Sequence, residues 1–359
     1  MCLPPTAERL LLLHEAGQAA DQVLEGFLRL PVTKALDLGS PEGFDRASAL
    51  LAARLRRAVG KADAEAVRAA VSVLDVDWAK TTAAQRRGLV SQAMEAAGRA
   101  TAVIPARIQV PLGDAAESVV AATRSHARRS QGLAIGADFN ALDRRVAAHV
   151  VASQGNFVRD EYGRRLDSLS EKARDIVASG LEQGLGRADI AGELERAARA
   201  ALIERSTFYW ELVASSFIGR GRSFAQMSSY AEAGIQRYRI EAVLDERTTH
   251  ICRYLHGKTF EVADALQRFE RVAGLEQPED IKLEQPWVRE GRDAETGRTR
   301  LYVEGGSGRM MIAEVTRSAF GTRDDAGDFR PLASDRGLAE AGVGFPPFHA
   351  LCRTTCLAA

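Results

Sequence analysis

Two clusters of cysteine and histidine, far apart in the chain, hold the side chains best suited to chemistry. The first has Cys252 and His256 in a C-x-x-x-H spacing, and the second has His349, Cys352 and Cys356 in an H-x-x-C-x-x-x-C spacing. Thiolate and imidazole are ligands that zinc prefers, and a structural zinc site needs four ligands in a tetrahedron. If the two clusters pack together, the sequence predicts a metal site.

We expect the ligand set to be Cys252, His349, Cys352 and Cys356, with His256 as a substitute. Four protein ligands would close the site to reactive water, so a structural zinc would hold the chain ends together without catalysing a reaction. Two alternatives remain open. The cysteines can be small buried apolar side chains, or Cys252 and Cys352 can form a disulfide in an oxidising setting.

A carboxylate near these clusters raises the question of acid–base catalysis. Asp245 could supply acid or base together with His250 and His349. We favour a structural role, in which Asp245 caps the following turn and Arg247 or Arg353 neutralises it. The sequence lacks a Gly-rich phosphate loop, a G-x-S-x-G elbow and an H-E-x-x-H motif. We therefore predict no catalytic residue and no enzyme activity.

The same two regions resemble the two ends of the phage head-morphogenesis domain, a minor capsid family named after the F protein of phage Mu. Its members read roughly D-x-R-T-x-x-x-C-x-x-x-x-G near the start and P-P-x-H-x-x-C-R at the end. The residues that match the first element are Asp245, Arg247, Thr248, Cys252 and Gly257. Those that match the second are Pro346, Pro347, His349, Cys352 and Arg353.

The resemblance covers roughly Asp160 to Cys356. Family members commonly end Cys-Arg-Cys, whereas Cys356 is displaced here, and the insertion 261–345 is longer than usual. The resemblance implies a non-enzymatic minor head protein of a tailed phage or prophage, made in the bacterial cytoplasm and located in the virion or procapsid. Its partners would be the portal and capsid or scaffold proteins, and its role head assembly or DNA delivery. The alternative is a toxin-like nuclease or transferase built on the same domain.

Length, composition and charge limit which other classes of function are expected. The chain has 359 residues, 46% hydrophobic and 27% charged, which suits a globular protein of two or three domains. Its 48 basic and 48 acidic side chains cancel, so we expect no strong nucleic-acid binding. No stretch reaches the ~20 apolar residues that cross a bilayer, and Leu10 to Leu13 is too short for a secretory signal. Three of the four cysteines lie beside histidines, which favours a reducing compartment.

The chain is predicted to be helical as far as Ile235. Leu51, Leu55 and Val59 are spaced as on one helix face, and Gly60 is expected to end that helix before a second one over 62–74. Prolines 105 and 111 predict a linker, because proline lacks an amide donor and restricts the preceding residue. Further helices are predicted from about 112, over 137–153 and over 156–180. Other histidines are expected to be ordinary helix residues: His14, His126 and His149.

The strongest helical pattern runs from about Leu202 to Glu232, where Gly219 and Gly221 permit a kink or a close approach. Its apolar stripe consists of Ile203, Trp210, Val213, Phe217, Phe224, Met227 and Ala231. After Gly234 the pattern alternates and predicts strands instead. We expect them at 238–242, 258–262, 299–303 and 309–315, with an exposed loop over 322–337.

These patterns predict an α+β fold that is mainly α. N-terminal helical bundles are followed by a long aromatic helix and a small mixed α/β C-terminal module. We divide the chain into an N-terminal helical domain (1–104), a linker and helical arm (105–155) and the region that resembles the head-morphogenesis domain (156–359).

Overall fold

The structure, a computed structural model, describes residues 37–136, 141–204, 206–305 and 308–359. The expectations for Leu10 to Leu13 and His14 lie outside these residues. The fold is α+β and mainly helical, with two small antiparallel sheets, as predicted.

Long helices make up the first two thirds of the chain. They are α1 (Pro41–Leu74), α2 (Ala83–Thr101), α3 (Ile104–Ser130), α4 (Ala141–Glu182), α5 (Arg187–Arg199) and α6 (Ser206–Glu232). A 3₁₀ turn (Trp78–Lys80) follows α1, and a π-helical turn (Ala200–Glu204) precedes α6.

Short elements alternate in the last third. They are β1 (Arg237–Glu241), α7 (His250–Leu255), β2 (Thr259–Glu261), α8 (Val262–Ala273), α9 (Pro278–Glu284), β3 (Arg289–Arg292), β4 (Thr299–Gly305), β5 (Gly308–Arg317), β6 (Asp328–Pro331), α10 (Asp335–Glu340) and β7 (Thr355–Ala358).

The first sheet brings the two chemically interesting regions together. Its strand order is β2-β1-β7, and both pairs are antiparallel. In the β1–β7 pair, Ile240 lies opposite Cys356. Because β7 is the last strand of the chain and β1 precedes the first cysteine cluster, this pairing places the second cluster beside the first. The other sheet is a meander with the order β3-β4-β5-β6.

Helix α1 continues through Gly60, so the predicted break there is wrong. A glycine in a helix interior costs about 1 kcal/mol relative to alanine. That cost is outweighed because one buried stripe with helical spacing runs on both sides of the glycine. Its members are Leu51, Leu55, Val59, Ala62, Ala66 and Ala70.

The predicted linker at Pro105 to Pro111 is also wrong, since both prolines belong to α3. Pro105 lies in the first turn, where amides have no partner within the helix. Pro111 lies inside the helix and removes one backbone hydrogen bond. The helix persists because its buried face continues through the proline, with Ile104, Ile108 and Leu112 all buried.

The two helices expected over 137–153 and 156–180 form one helix, α4, whose described part begins at Ala141. The end of α4 is as predicted, because Gly184 adopts a left-handed conformation with a φ of 70° shortly after Glu182. Helix α5 follows and buries Ile190, Leu194 and Ala198 on one face.

Helix α6 confirms the predicted central helix, and its glycines permit close approach. A Cβ atom on Gly219 would lie 3.4 Å from Cβ of Pro347, and one on Gly221 would lie 3.1 Å from Cγ1 of Val119. The C-terminal segment and α3 therefore pack directly on the backbone of α6.

The four predicted strands are all present. Strands β1 and β2 pair as expected, as do β4 and β5. Strands β3, β6 and β7 were not predicted, and β6 lies within the segment expected to be an exposed loop. β3 and β6 are short and exposed along most of their length, so they lack the alternation that marks a half-buried strand.

Two hydrophobic clusters form the interior of the described residues. The larger one joins α1, α3 and α6 to both sheets, from Leu38 to Cys356. The smaller one lies among α1, α2, α4 and α5 and includes Trp78 and Leu194. The larger cluster thus crosses the expected boundary at 105–155. The division into three domains stays a prediction.

Candidate metal centre

Three of the predicted ligands meet in the structure. The Sγ atom of Cys252 lies 3.2 Å from Nε2 of His349 and 3.7 Å from Sγ of Cys352. All three ligand atoms lie within 4.8 Å of one another. Both cysteines are buried and the histidine is half-buried. A Cys-His-Cys group of this kind could hold a metal ion.

The local fold explains why these side chains converge. Cys252 lies in the short helix α7, whose residues 251–255 are all buried. His349 and Cys352 lie on the segment that leads into β7, after a cis peptide bond between Pro346 and Pro347. Pro347 packs against Gly219 of α6, so this segment follows the surface of the central helix.

The other two predicted ligands lie outside the group of three. Cys356 is fully buried in β7, where its carbonyl accepts hydrogen bonds from Gln226 and Tyr230. His256 follows α7, and its Nδ1 atom accepts a hydrogen bond from the Ala242 amide at 3.2 Å. The expected four-residue set is therefore not assembled among the described side chains.

The three side chains shift one another's pKa values. Burial alone would raise the pKa of Cys352, but the hydrogen bond with Cys252 and the positive charge of His349 lower it well below its ordinary value. The hydrogen bond with Cys352 and burial both raise the pKa of Cys252. Burial alone would lower the pKa of His349, yet the negative charge of Cys352 raises it. The group thus favours a thiolate at Cys352, the form in which cysteine binds metals.

A small opening leads to this group from the surface. Its volume is about 20 Å³, and its lining includes Thr249, Leu351 and Thr354 as well as Cys252 and His349. The Oγ1 atom of Thr249 also lies 3.2 Å from Nε2 of His349. A space of this size admits about one water molecule.

Asp245 makes the contacts that the sequence predicted for it. Its Oδ1 atom accepts hydrogen bonds from the Arg247 amide at 3.0 Å and from the Thr248 hydroxyl at 2.9 Å. Nη2 of Arg353 lies 2.7 Å from both of its carboxylate oxygens. Arg353 is thus the neutralising partner, while the Arg247 side chain pairs with Asp45 of α1 at 2.8 Å.

Gly257, another residue of the motif, closes the turn after α7. Its φ of 80° lies in the left-handed region, which glycine adopts without the steric cost of a Cβ atom. Its amide donates to the Ile240 carbonyl at 2.9 Å. The glycine therefore connects α7 back to β1.

Two buried arginines that the sequence analysis did not single out hold this region in place. Arg222 of α6 donates to the carbonyls of Leu38, Arg353 and Thr354 at 3.0, 3.0 and 2.6 Å. Its guanidinium also lies over the Phe44 ring, 4.5 Å from the centroid, and burial lowers the pKa of Arg222 to about 10.

The second is Arg253 of α7, which donates to the carbonyls of Asp245, Thr248, Thr322 and Asp325. It therefore joins the loop after β1 to the loop before β6. All the hydrogen-bond acceptors of both arginines named above are backbone carbonyls. No sequence motif marks such partners, because every residue carries a carbonyl.

The remaining histidines differ in their surroundings. His149 of α4 packs edge-on against Phe224 and Phe269, and burial lowers the pKa of His149 to about 4. Nδ1 of His126 lies 3.1 Å from Asp37. Neither contacts the Cys-His-Cys group, as expected.

Within the described residues, no helix is both long and apolar enough to cross a membrane.

Comparisons with protein-family models, with curated proteins and with solved structures found no match to this chain.

Proposed function

We propose that Cys252, His349 and Cys352 bind a structural zinc ion that fastens the C-terminal segment to α7. Two thiolates and an imidazole match the ligand preference of zinc. A water molecule in the opening beside Thr249 can supply the fourth tetrahedral position. Three protein ligands leave this fourth position open, unlike the closed four-ligand site expected from the sequence. The proposed structural role therefore depends on the ion joining the two chain segments and not on a closed ligand shell.

We further propose that the chain is a minor head protein of a tailed phage or prophage. Its place would be in the virion or procapsid, in association with the portal and capsid or scaffold proteins. It would assist head assembly or DNA delivery. The support is the resemblance of two sequence elements to the head-morphogenesis domain, together with the way in which these elements meet in space.

The observation that carries this proposal is that each element supplies partners to the other. Asp245 of the first element pairs with Arg353 of the second, and Cys252 contacts His349 and Cys352. Five of the ten motif residues therefore join the two elements to each other: Asp245, Cys252, His349, Cys352 and Arg353. A structural role for these residues is what the resemblance to the head-morphogenesis domain implies.

The assembly role predicts a portal gene beside this gene, and it can be tested by co-expression with the portal protein that such a gene encodes. We expect the two proteins to co-purify through size-exclusion chromatography, because the proposed role requires a stable contact at the portal vertex. A gel-shift assay with duplex DNA at physiological salt should show only weak, non-specific binding, since the chain has no net charge. If the folded chain binds no portal protein, or binds DNA tightly in high salt, the assembly role is wrong.

A further inference from the structure

A second group of chemically active side chains lies outside the metal centre and has no part in the proposed assembly role. The Oγ atom of Ser318 lies 2.8 Å from Nε2 of His250, and Nδ1 of His250 lies 3.0 Å from Oε2 of Glu290. His250 is the first residue of α7, Glu290 belongs to β3, and Ser318 follows β5. Three elements distant in sequence therefore place a serine, a histidine and a carboxylate in a line.

The hydrogen atoms along this line can be assigned from the chemistry of the groups. An ionised carboxylate only accepts hydrogen bonds, so Nδ1 of His250 carries the hydrogen that it donates to Glu290. In neutral imidazole the other nitrogen, Nε2, then accepts, and the Ser318 hydroxyl must donate to it. The Phe320 amide donates to Ser318 Oγ at 3.2 Å, which leaves the hydroxyl hydrogen free to point at His250.

This order of groups is the one that activates a serine for nucleophilic attack. In such sites a base contacts the nucleophile, and a third group on the opposite ring nitrogen holds the base in the correct tautomer. Ser318 is exposed and can meet a substrate. The Phe320 ring is 60% exposed and lies 6.0 Å from the His250 ring, so it offers an apolar surface beside the serine.

We propose that Ser318, His250 and Glu290 form an esterase site for small carboxylic esters. Ser318 Oγ attacks the ester carbonyl carbon, and its proton passes to Nε2 of His250. The imidazolium is stabilised by Glu290 and returns the proton to the departing alcohol as the carbon–oxygen bond breaks. Water then gives a proton to His250 and attacks the acyl carbon. The bond between that carbon and Ser318 Oγ breaks, and His250 returns the proton to Oγ, which releases the acid and restores the serine. The Phe320 amide is bonded to Ser318 Oγ and does not point at the position of the substrate's carbonyl oxygen, so without its help at the oxyanion we expect slow turnover.

The chain contains an internal control with the same kinds of residue. Nδ1 of His126 contacts both Asp37 at 3.1 Å and Ser130 at 3.2 Å. One ring nitrogen cannot donate to a carboxylate and accept from a hydroxyl at the same time. Ser130 is therefore not activated by the arrangement that we assign to Ser318.

The test uses the full chain and a fluorophosphonate, which phosphonylates activated serines. We expect labelling of Ser318 as located by peptide mass spectrometry, and slow hydrolysis of p-nitrophenyl acetate with an initial burst. Ser318→Ala should abolish both. His250→Gln should slow labelling by about 100-fold or more, and Glu290→Gln by about 10-fold or more.

Ser130→Ala should leave labelling and hydrolysis unchanged. The metal content of Ser318→Ala should equal that of the wild type, so this test is independent of the zinc proposal. Failure of the probe to label Ser318 would overturn the proposal. Equal labelling of Ser130, or ester hydrolysis that survives in a folded Ser318→Ala variant, would also overturn it.

Discussion

Asp245 accepts hydrogen bonds from both motif elements, so its contribution can be measured apart from that of a metal. Arg353 reaches it from the C-terminal segment, while Thr248 and the Arg247 amide reach it from its own loop. Burial alone would raise the pKa of Asp245, but the hydrogen bonds from Arg353 and Thr248, with the charge of Arg353, lower it below its ordinary value.

The change Asp245→Asn should lower the free energy of unfolding by about 1–3 kcal/mol at pH 7, because it removes a charged acceptor from several donors. A carboxyl group whose pKa is lower in the folded state adds stability above its unfolded pKa of about 3.9. This stability is lost as the pH falls through the lower folded pKa. Urea denaturation of wild type and variant should therefore converge at low pH.

The control for Asp245→Asn is Asp335→Asn. Asp335 pairs with Lys258 at 2.6 Å, but its side chain is 54% exposed, so its loss should cost less than about 1 kcal/mol. Equal losses in the two variants at pH 7, or a loss in Asp245→Asn that persists below both pKa values, would contradict the role given to Asp245.

The helices show what the sequence could and could not predict. The period of the apolar residues identified the buried faces of α1 and α6, because burial of a stripe is the main source of helix stability in a protein. The helix boundaries failed at Gly60 and Pro111, where tertiary packing outweighs a local propensity of a few kcal/mol.

The sequence predicted part of the candidate metal site, and tertiary packing again decided the rest. Cys252, His349 and Cys352 could be found from residue type and spacing. The position of Cys356 could not, because it depends on the register in which β7 pairs with β1. The contribution of Arg222 was also beyond sequence reasoning, since its partners are backbone carbonyls from distant segments.

Glycine substitutions test the continuity of the helices. Gly60→Ala should raise the free energy of unfolding by about 0.5–1 kcal/mol, since a Cβ atom there meets nothing within 4 Å and alanine favours the helix. Gly180→Ala should lower it, because its Cβ atom would lie 2.7 Å from Cγ1 of Ile190. Chemical denaturation measures both. If Gly60→Ala is destabilising, α1 does not pass through residue 60 as an undistorted helix.

At the scale of the whole molecule, one large core joins the N-terminal helices to the C-terminal module. Arg222 donates to the Leu38 carbonyl and stacks on Phe44, and Val119 of α3 packs against Gly221. A fragment that begins at residue 156 would expose this surface of α6 and leave Arg222 without two of its partners.

We therefore expect fragment 156–359 to unfold without a cooperative transition in urea, whereas the full chain should show one. Near-ultraviolet circular dichroism would report the loss of fixed packing. A sharp transition in fragment 156–359, at a urea concentration close to that of the full chain, would show instead an independent domain with the boundary expected from the sequence.

We propose that Cys252, His349 and Cys352 bind the metal without Cys356, and the metal content of variants tests this ligand set. Protein purified without chelator should contain about one zinc ion per chain by elemental analysis. Cys352→Ser should lose the metal and unfold at a lower temperature, because metal binding contributes to folding. Cys356→Ala should keep the metal, although the buried cavity that it creates lowers stability. A folded wild-type protein without transition metal, or loss of the metal in Cys356→Ala as complete as in Cys352→Ser, would contradict this account.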